Sequence, residues 1–475
     1  MATPRLAGYL DDERDRIYDV LVDWLRIPSI SALPEHHGDV RRSADRVVEL
    51  LLEAGFEHVR VLETGDADGP GLPAVYADWL HAGPDAPTAL VYGHHDVQPA
   101  DPLELWTSPP FDPEIVDGEL RARGAVDDKG QTLYEIEAAR GLLRTEGSLP
   151  VNLKFLIEGE EEIGSPHFEA LLGAHRALLA CDVVVVSDTT MWAVDVPSFC
   201  VGMRGLVAFD LDVRTAAADL HSGSFGGAVP NAAHLIAELV TKLHSVDGRV
   251  TIPRFYDDVR PLTEGERTSI ERLPFTEAEF KATAGVQRLQ GEVGRTTLER
   301  IWTRPTCEVT GITTGYGGAG MKTIVPATAN AKVSFRLVAD QDPAAIAAAF
   351  EQWLADEVPA GVDWTITPLG AVAPALTPPD HPAVGALAQA MTTVWGVEPL
   401  LTREGGSGPE EALGRVLESP VLYLGIALAG DRFHAPNERI LLDQFDKGLL
   451  CAGELWHELA TALASPPDTT RRETT

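Results

Sequence analysis

The chain has 475 residues, too many for one ordinary hydrophobic core, and 44% of them are hydrophobic, so a globular protein of two domains is expected. A formal net charge of −34 argues against nucleic acid as a partner, because phosphate binding needs basic patches. No apolar run reaches the about 18 residues of a membrane span, and Asp11-Asp12-Glu13-Arg14-Asp15 stands where a signal peptide would have its apolar core, so no membrane partner is expected and the cytoplasm is the default location.

Residues 6–27 read as an amphipathic helix closed by Pro28, and Val40–Ala54 as a second helix that stops at Gly55. Strands and helices then alternate as far as Asp188, with strand-like segments at Thr88–Tyr92, Val151–Ile157 and Asp182–Val186 and a helical stretch at Thr132–Leu143. This alternation predicts an α/β fold: a mainly parallel sheet with helices on both faces. Cys181, Cys200, Cys307 and Cys451 form no C-x-x-C pair and read as free thiols. Gly202-Met203-Arg204-Gly205 marks a change of character. Beyond it come an alternating strand (Leu206–Val213), a helix (Asn231–His244), a polar, charged stretch (Arg254–Arg300), a β-rich segment (Lys332–Val338) and a helix (Pro343–Leu354). The proline-rich joint Pro374–Pro382 returns the chain to α/β character, with a further strand at Val421–Ile426. The simplest division is a catalytic domain in two parts, 1–202 and 374–475, interrupted by an inserted domain at 203–373. From about residue 465 the composition is that of a disordered tail.

Five short stretches end hydrophobic runs with carboxylates or histidines. They are Tyr92-Gly93-His94-His95-Asp96, Gly124-Ala125-Val126-Asp127-Asp128-Lys129-Gly130, Glu158-Gly159-Glu160-Glu161-Glu162, Ser187-Asp188, and Phe433-His434-Ala435-Pro436-Asn437-Glu438. In open α/β sheets the ligand crevice lies beyond the carboxyl ends of the strands, so these groups are expected to share one cleft. Carboxylates at that density repel one another and desolvate badly, and a divalent metal is the usual remedy. His94 and Asp96, two residues apart at a strand end, point to the same face; a polar strand-exit turn is the plainer alternative. Asp127 and Asp128 precede a helix and could be ordinary acidic residues of its first turn, or supply a carboxylate held between two metals. Of Glu160, Glu161 and Glu162, one can bind metal while its neighbour serves as a general base, unless the run is simply solvated. Asp188 and His434 complete a His/Asp/Glu set suited to hard or borderline divalent cations. The reading is a metal-dependent hydrolase. Three other motifs are weak: Gly315–Gly320 lacks the strand-to-helix setting of a dinucleotide site, Gly405–Pro409 has proline where a nucleophile elbow has glycine, and His457-Glu458 lacks the second histidine of a zinc-protease helix.

These motifs resemble the M20 metallopeptidases, together with Asp219–Gly227, Lys322–Pro326, Phe335-Arg336-Leu337 and Arg403–Ser407. Within that family the resemblance is to the branch of cytosolic nonspecific dipeptidase and carnosinase, and it runs in order from about residue 10 to residue 460. It implies a zinc-exopeptidase-like catalytic domain and an inserted α+β lid that carries a homodimer interface. Asp127 would bridge two divalent ions per subunit, zinc or manganese with cobalt as a third option. His94 and Asp188 would complete one metal position, Glu162 and His434 the other. Glu161 would activate a bridging hydroxide as general base, and Asp96 would orient His94. The Asp127–Asp128 peptide would be cis, and His221 would reach the partner subunit's site to stabilise the oxyanion. Thr323, Arg336 and Ser407 would hold the C-terminal end of a small peptide substrate, for which an arginine fork suits a carboxylate. Three departures stand out: His95 in place of a common apolar residue, Glu160 as a third glutamate, and Gly408 where a bulkier residue is common. The expected activity is hydrolysis of dipeptides or short peptides. Deacylation of N-acyl, N-succinyl or N-carbamoyl amino acids is the rival chemistry, and a catalytically silent scaffold the rival class.

Overall fold

The computed structural model describes residues 4–67 and 69–464, so the tail expected from about residue 465 lies outside the described residues. The chain divides into two compact units: 1–201, 377–402 and 412–475 form the first, and 202–376 with 403–411 the second. The run 403–411, expected with the second catalytic part, groups with the inserted unit because the Ser407 hydroxyl bonds to Arg204 and Arg336 there.

The first unit is built on a six-stranded sheet. Its order is Glu57–Leu62, Ala74–Trp79, Asn152–Glu158, Thr88–His94, Val183–Val186, Val421–Tyr423. The last four strands run parallel; the first two join antiparallel at one edge, so the sheet is mostly but not wholly parallel. Asn152–Glu158 and Val183–Val186 are buried along their whole length, as central strands covered on both sides must be. Register aligns their ends: His94 pairs with Glu158, and Tyr92 with Val186, so the residues that follow leave the sheet at one level. The strand expected to run to Ile426 stops at Tyr423. Side chains of the neighbouring helix take over its backbone there, Tyr134 donating to the Leu424 carbonyl (2.5 Å) and Gln131 accepting from the Ile426 N–H (2.8 Å). That helix, Lys129–Glu146, is buried over most of its circumference and packs on Thr88–His94 and on helices Pro4–Leu25 and Leu442–Ala462.

The second unit holds a four-stranded antiparallel sheet in the order Thr306–Thr314, Thr328–Leu337, Gly205–Arg214, Asp363–Val372. Burial alternates along Gly205–Arg214 and Thr328–Leu337, so one face carries the core. Phe209, Phe335 and Phe350 meet there with ring centroids 5.1–6.4 Å apart, under helices Ala232–Lys242 and Pro343–Glu357. Asn231, expected inside the first of these helices, caps it instead, its side chain accepting from the Ala233 and His234 N–H groups. The charged stretch 254–300 contains three short helices, which begin after Thr263, Thr276 and Thr296. All four cysteines are free, and no helix among the described residues is long and apolar enough to cross a membrane.

Candidate metal centre

His94, Asp127, Glu162, Asp188 and His434 all belong to the first unit and converge at the carboxyl ends of its parallel strands. His94 ends the strand Thr88–His94, Glu162 lies in the turn after Asn152–Glu158, and Asp188 follows Val183–Val186 by two residues. The loop before Lys129–Glu146 delivers Asp127. Close packing of that loop depends on two glycines. A Cβ on Gly93 would stand 2.7 Å from Asp128 Oδ2, and one on Gly130 would stand 2.0 Å from the Ala125 carbonyl oxygen. Asp128 occupies the helix N-cap position, but its carboxylate turns inward to accept from the His94 N–H (3.1 Å) and the Thr132 hydroxyl (2.9 Å). The Asp127–Asp128 peptide is cis.

The two carboxylate oxygens of Asp127 face different imidazoles. Oδ1 lies 3.1 Å from His94 Nε2, and Oδ2 lies 2.9 Å from His434 Nε2. Asp188 Oδ2 is 3.5 Å from the first nitrogen, and Glu162 Oε2 is 3.1 Å from the second. Two three-residue donor groups thus share Asp127, the donor atoms of each within 4.8 Å of one another. His94 Nδ1 is 3.0 Å from the Asp96 carbonyl, which can only accept, so Nδ1 carries the proton and Nε2 presents a lone pair to the cluster. The Asp96 carboxylate lies 3.4 Å from the same Nδ1 and accepts the Glu162 N–H at 3.1 Å, linking both donor groups.

Charge in the cluster is out of balance. Burial, reinforced by Asp188, Glu162 and Asp96 and opposed by His94, pushes the Glu161 carboxyl up to about 10. Burial and the neighbouring Asp127 raise Glu162 to about 7 against the pull of His434 and His94. Hydrogen bonds to Asp127 and Glu162 raise His434 to about 10 despite desolvation. These groups hold on to protons because the pocket is short of positive charge. Two imidazole nitrogens and three carboxylates arranged this way match the donor chemistry of zinc or manganese, and the residues fit divalent cations.

Four further residues singled out from the sequence lie in the second unit. Arg336 Nη1 donates to Ser407 Oγ (3.0 Å), whose hydroxyl donates to the Arg204 carbonyl (2.5 Å). The Thr323 carbonyl accepts the Ser222 N–H (3.0 Å), in the short ladder where His221 pairs with Ile324. His221 is exposed, and its Nδ1 accepts from the Gly223 N–H (3.1 Å).

A family model described as peptidase family M20/M25/M40 matches residues 90–458. The chain belongs to that family. Among sequence relatives of this M20 peptidase, the Beta-Ala-His dipeptidase of Mus musculus is 28% identical over 92% of this chain and 91% of its own length. The Cys-Gly metallodipeptidase dug1 of Schizosaccharomyces pombe is 29% identical over 97% of this chain and 99% of its own. Among solved structures, an M20 family metallo-carboxypeptidase, Sso-CP2 from Sulfolobus solfataricus, superposes with a TM-score of 0.79 at 32% identity, covering 94% of this chain and 99% of the other. The relatives place this M20 metallopeptidase with the dipeptidase branch.

Two departures from the family pattern, Glu160 and His95, bond to partners other than the five cluster residues. Glu160 is buried and turned aside, accepting from the Leu72 N–H (2.7 Å) and paired with His167 Nδ1 (2.9 Å). His95 bonds through Nε2 to the Pro73 carbonyl (2.9 Å), and burial pushes it down to about 4. Two residues with evident work in this M20 peptidase had no role in the sequence reading. Gln98 donates from Nε2 to Glu162 Oε2 (2.7 Å) and from its backbone to Oε1 (3.1 Å), fixing that carboxylate. Glu438 grips the loop that carries Asp127. Both stood inside quoted motifs, but an amide or a carboxylate in a loop gives no sign of its partner. Of the weak motifs, His457 faces Glu146 at 3.4 Å from the helix Leu442–Ala462.

Proposed function

We propose that this M20 metallopeptidase is a dipeptidase acting on dipeptides and short peptides with a free C-terminal carboxylate. The observation that carries the reading is Asp127, whose two oxygens each face a separate His/carboxylate pair. His94, Asp188 and Asp127 would hold one divalent ion, and Glu162, His434 and Asp127 the other; zinc or manganese suits the set, with cobalt a workable substitute. When bound, the ions supply Lewis acidity toward the scissile carbonyl and toward water. Glu161 takes the proton of the attacking water and delivers it to the leaving amine nitrogen, so that C–N cleavage frees an amino group and a carboxylate. Asp96 and Gln98 keep His94 and Glu162 aimed.

The substrate's C-terminal carboxylate pairs with Arg336. Among the described residues no carboxylate pairs with this arginine, which leaves its fork for a ligand, while Ser407 steadies it. Thr323 lines the same unit, and His221, exposed there, serves as oxyanion donor to the neighbouring subunit of a homodimer formed through the inserted domain. The names of the relatives, dipeptidases for Beta-Ala-His and Cys-Gly, support the substrate class. The solved relative named a metallo-carboxypeptidase supports cleavage next to a C-terminal residue. A panel of dipeptides, tripeptides and N-acyl amino acids, assayed with Zn²⁺, Mn²⁺ and Co²⁺, tests the reading. Dipeptides should turn over fastest; a preference for N-acyl amino acids would replace dipeptidase with deacylase.

A further inference from the structure

The segment that carries Asp127 has no regular secondary structure between Arg121 and Lys129, so something other than a helix or strand must fix it. One carboxylate does most of this. Glu438 Oε1 accepts the N–H groups of Val126 (3.0 Å) and Asp127 (3.1 Å). Its Oε2 accepts the Gly124 N–H (3.0 Å) and Arg123 Nη1 (2.6 Å). Glu438 is 0% and Arg123 1% exposed, so water cannot replace any of these partners. Arg123 is fixed in turn: Nη2 donates to the Pro99 carbonyl (3.1 Å), and the guanidinium lies 5.5 Å from the centre of the Trp106 ring. On the other side, His434 stands four residues before Glu438 on the same loop. Asn437, next to Glu438, accepts from Thr107 N–H (2.7 Å) and donates to the Leu105 carbonyl (2.9 Å). The loop of His434 and the loop of Asp127 are therefore joined by this side chain, beside the backbone bond from the Ala122 N–H to the Glu438 carbonyl (3.1 Å), and the side chain touches neither ligand's reactive atoms.

We propose that Glu438 is a positioning residue that sets Asp127 against His434 and so preassembles the second cation position before any cation arrives. The proposal rests on the reading of Asp127 and His434 as metal ligands. The physical argument is one of geometry. A ligand carboxylate on an irregular loop would sample many orientations, and each must be given up on binding; four donors converging on Glu438 remove that freedom in advance. A carboxylate is the one side chain of this length with two oxygens and no hydrogen to offer, as four converging donors require. Glutamine would present an NH₂ to two of those donors and displace the loop.

The test is zinc affinity by chelator competition, with the visible spectrum of the Co²⁺-loaded enzyme as a second readout. Four proteins are compared with the full-length wild type: E438Q, R123K, D127N and E137Q. Glu137 is an equally buried carboxylate, paired with Arg16 at 2.6 Å and bonded to the Tyr9 hydroxyl, and has no role in the metal cluster. E438Q is expected to weaken zinc binding about 10- to 100-fold, the usual loss when a group supporting a ligand is removed, and to alter the cobalt spectrum. R123K should move both in the same direction by about tenfold, and it carries the test if E438Q does not fold. The KM for a dipeptide should change little while kcat falls. E137Q should lower the melting temperature and leave zinc affinity and the cobalt spectrum alone. Wild-type affinity and spectrum in E438Q and R123K would overturn the positioning role, as would an equal loss of affinity in E137Q. Failure of the wild type to bind two ions, or wild-type zinc binding by D127N, would instead bring down the metal reading beneath it.

Discussion

Arg336 and Ser407 are locked together: the guanidinium donates to the hydroxyl oxygen over 3.0 Å, and the hydroxyl spends its own proton on the Arg204 carbonyl. The Ser407 hydroxyl therefore steadies the arginine and spends its proton within the protein, and in the proposed reading Arg336 offers its charge to a peptide's carboxyl end. That division of labour separates two roles that a shared motif would blur.

Arg336→Ala should accordingly penalise substrates by whether they carry a free C-terminal carboxylate. Losing a charge-assisted partner of a buried carboxylate costs about 2–5 kcal/mol. Comparison of kcat/KM for free and C-terminally amidated dipeptides checks this. The amidated peptides should be poor substrates of the wild type and nearly indifferent to the mutation. Equal losses for both would mark Arg336 as structural.

Glu161→Gln should retain its metals and lose at least ~10²-fold in kcat, the scale of a missing general base. Elemental analysis beside steady-state kinetics separates this from ligand loss. Wild-type turnover in the variant would move the base elsewhere.

His221 tests the shared-site model. Homodimers of His221→Ala should lose ~10²–10³ in kcat, as for one oxyanion donor, and those of Glu161→Gln should also be nearly inactive. If each His221 serves the partner's centre, a mixed dimer has one site with both lesions and one with neither. By two-fold symmetry, subunit exchange should then restore up to about half of wild-type activity per mixed dimer. Mixed dimers as inactive as their parents would place His221 in its own subunit's chemistry or outside catalysis altogether.

How much of this was legible in the sequence follows from periodicity and its limits. The parallel strands Thr88–His94, Asn152–Glu158 and Val183–Val186 are continuous apolar runs, so their ends, and with them His94, the three glutamates and Asp188, could be read directly. The edge strands Glu57–Leu62 and Asp363–Val372 could not, because both are mostly solvent-facing and lack a buried stripe. The stretch 254–300 read only as polar and charged, yet Thr263–Glu266 and Thr296–Glu299 are capping boxes that open short helices; the signal was there, masked by the charge around it. Which of three adjacent glutamates faces a cation depends on the turn Glu161–Ile163, and the turn sends Glu160 toward His167. Gln98 and Glu438 act through partners 64 and 311–315 residues away, a distance that no local pattern encodes.

The central claim is that Asp127 joins two cation positions, and crystals grown with Zn²⁺ test it most directly. An anomalous difference map at the zinc edge should show two peaks per subunit on opposite oxygens of Asp127, one also within about 2.0–2.2 Å of His94 and Asp188 and the other of Glu162 and His434. A single peak, or two peaks that do not share Asp127, would contradict the account.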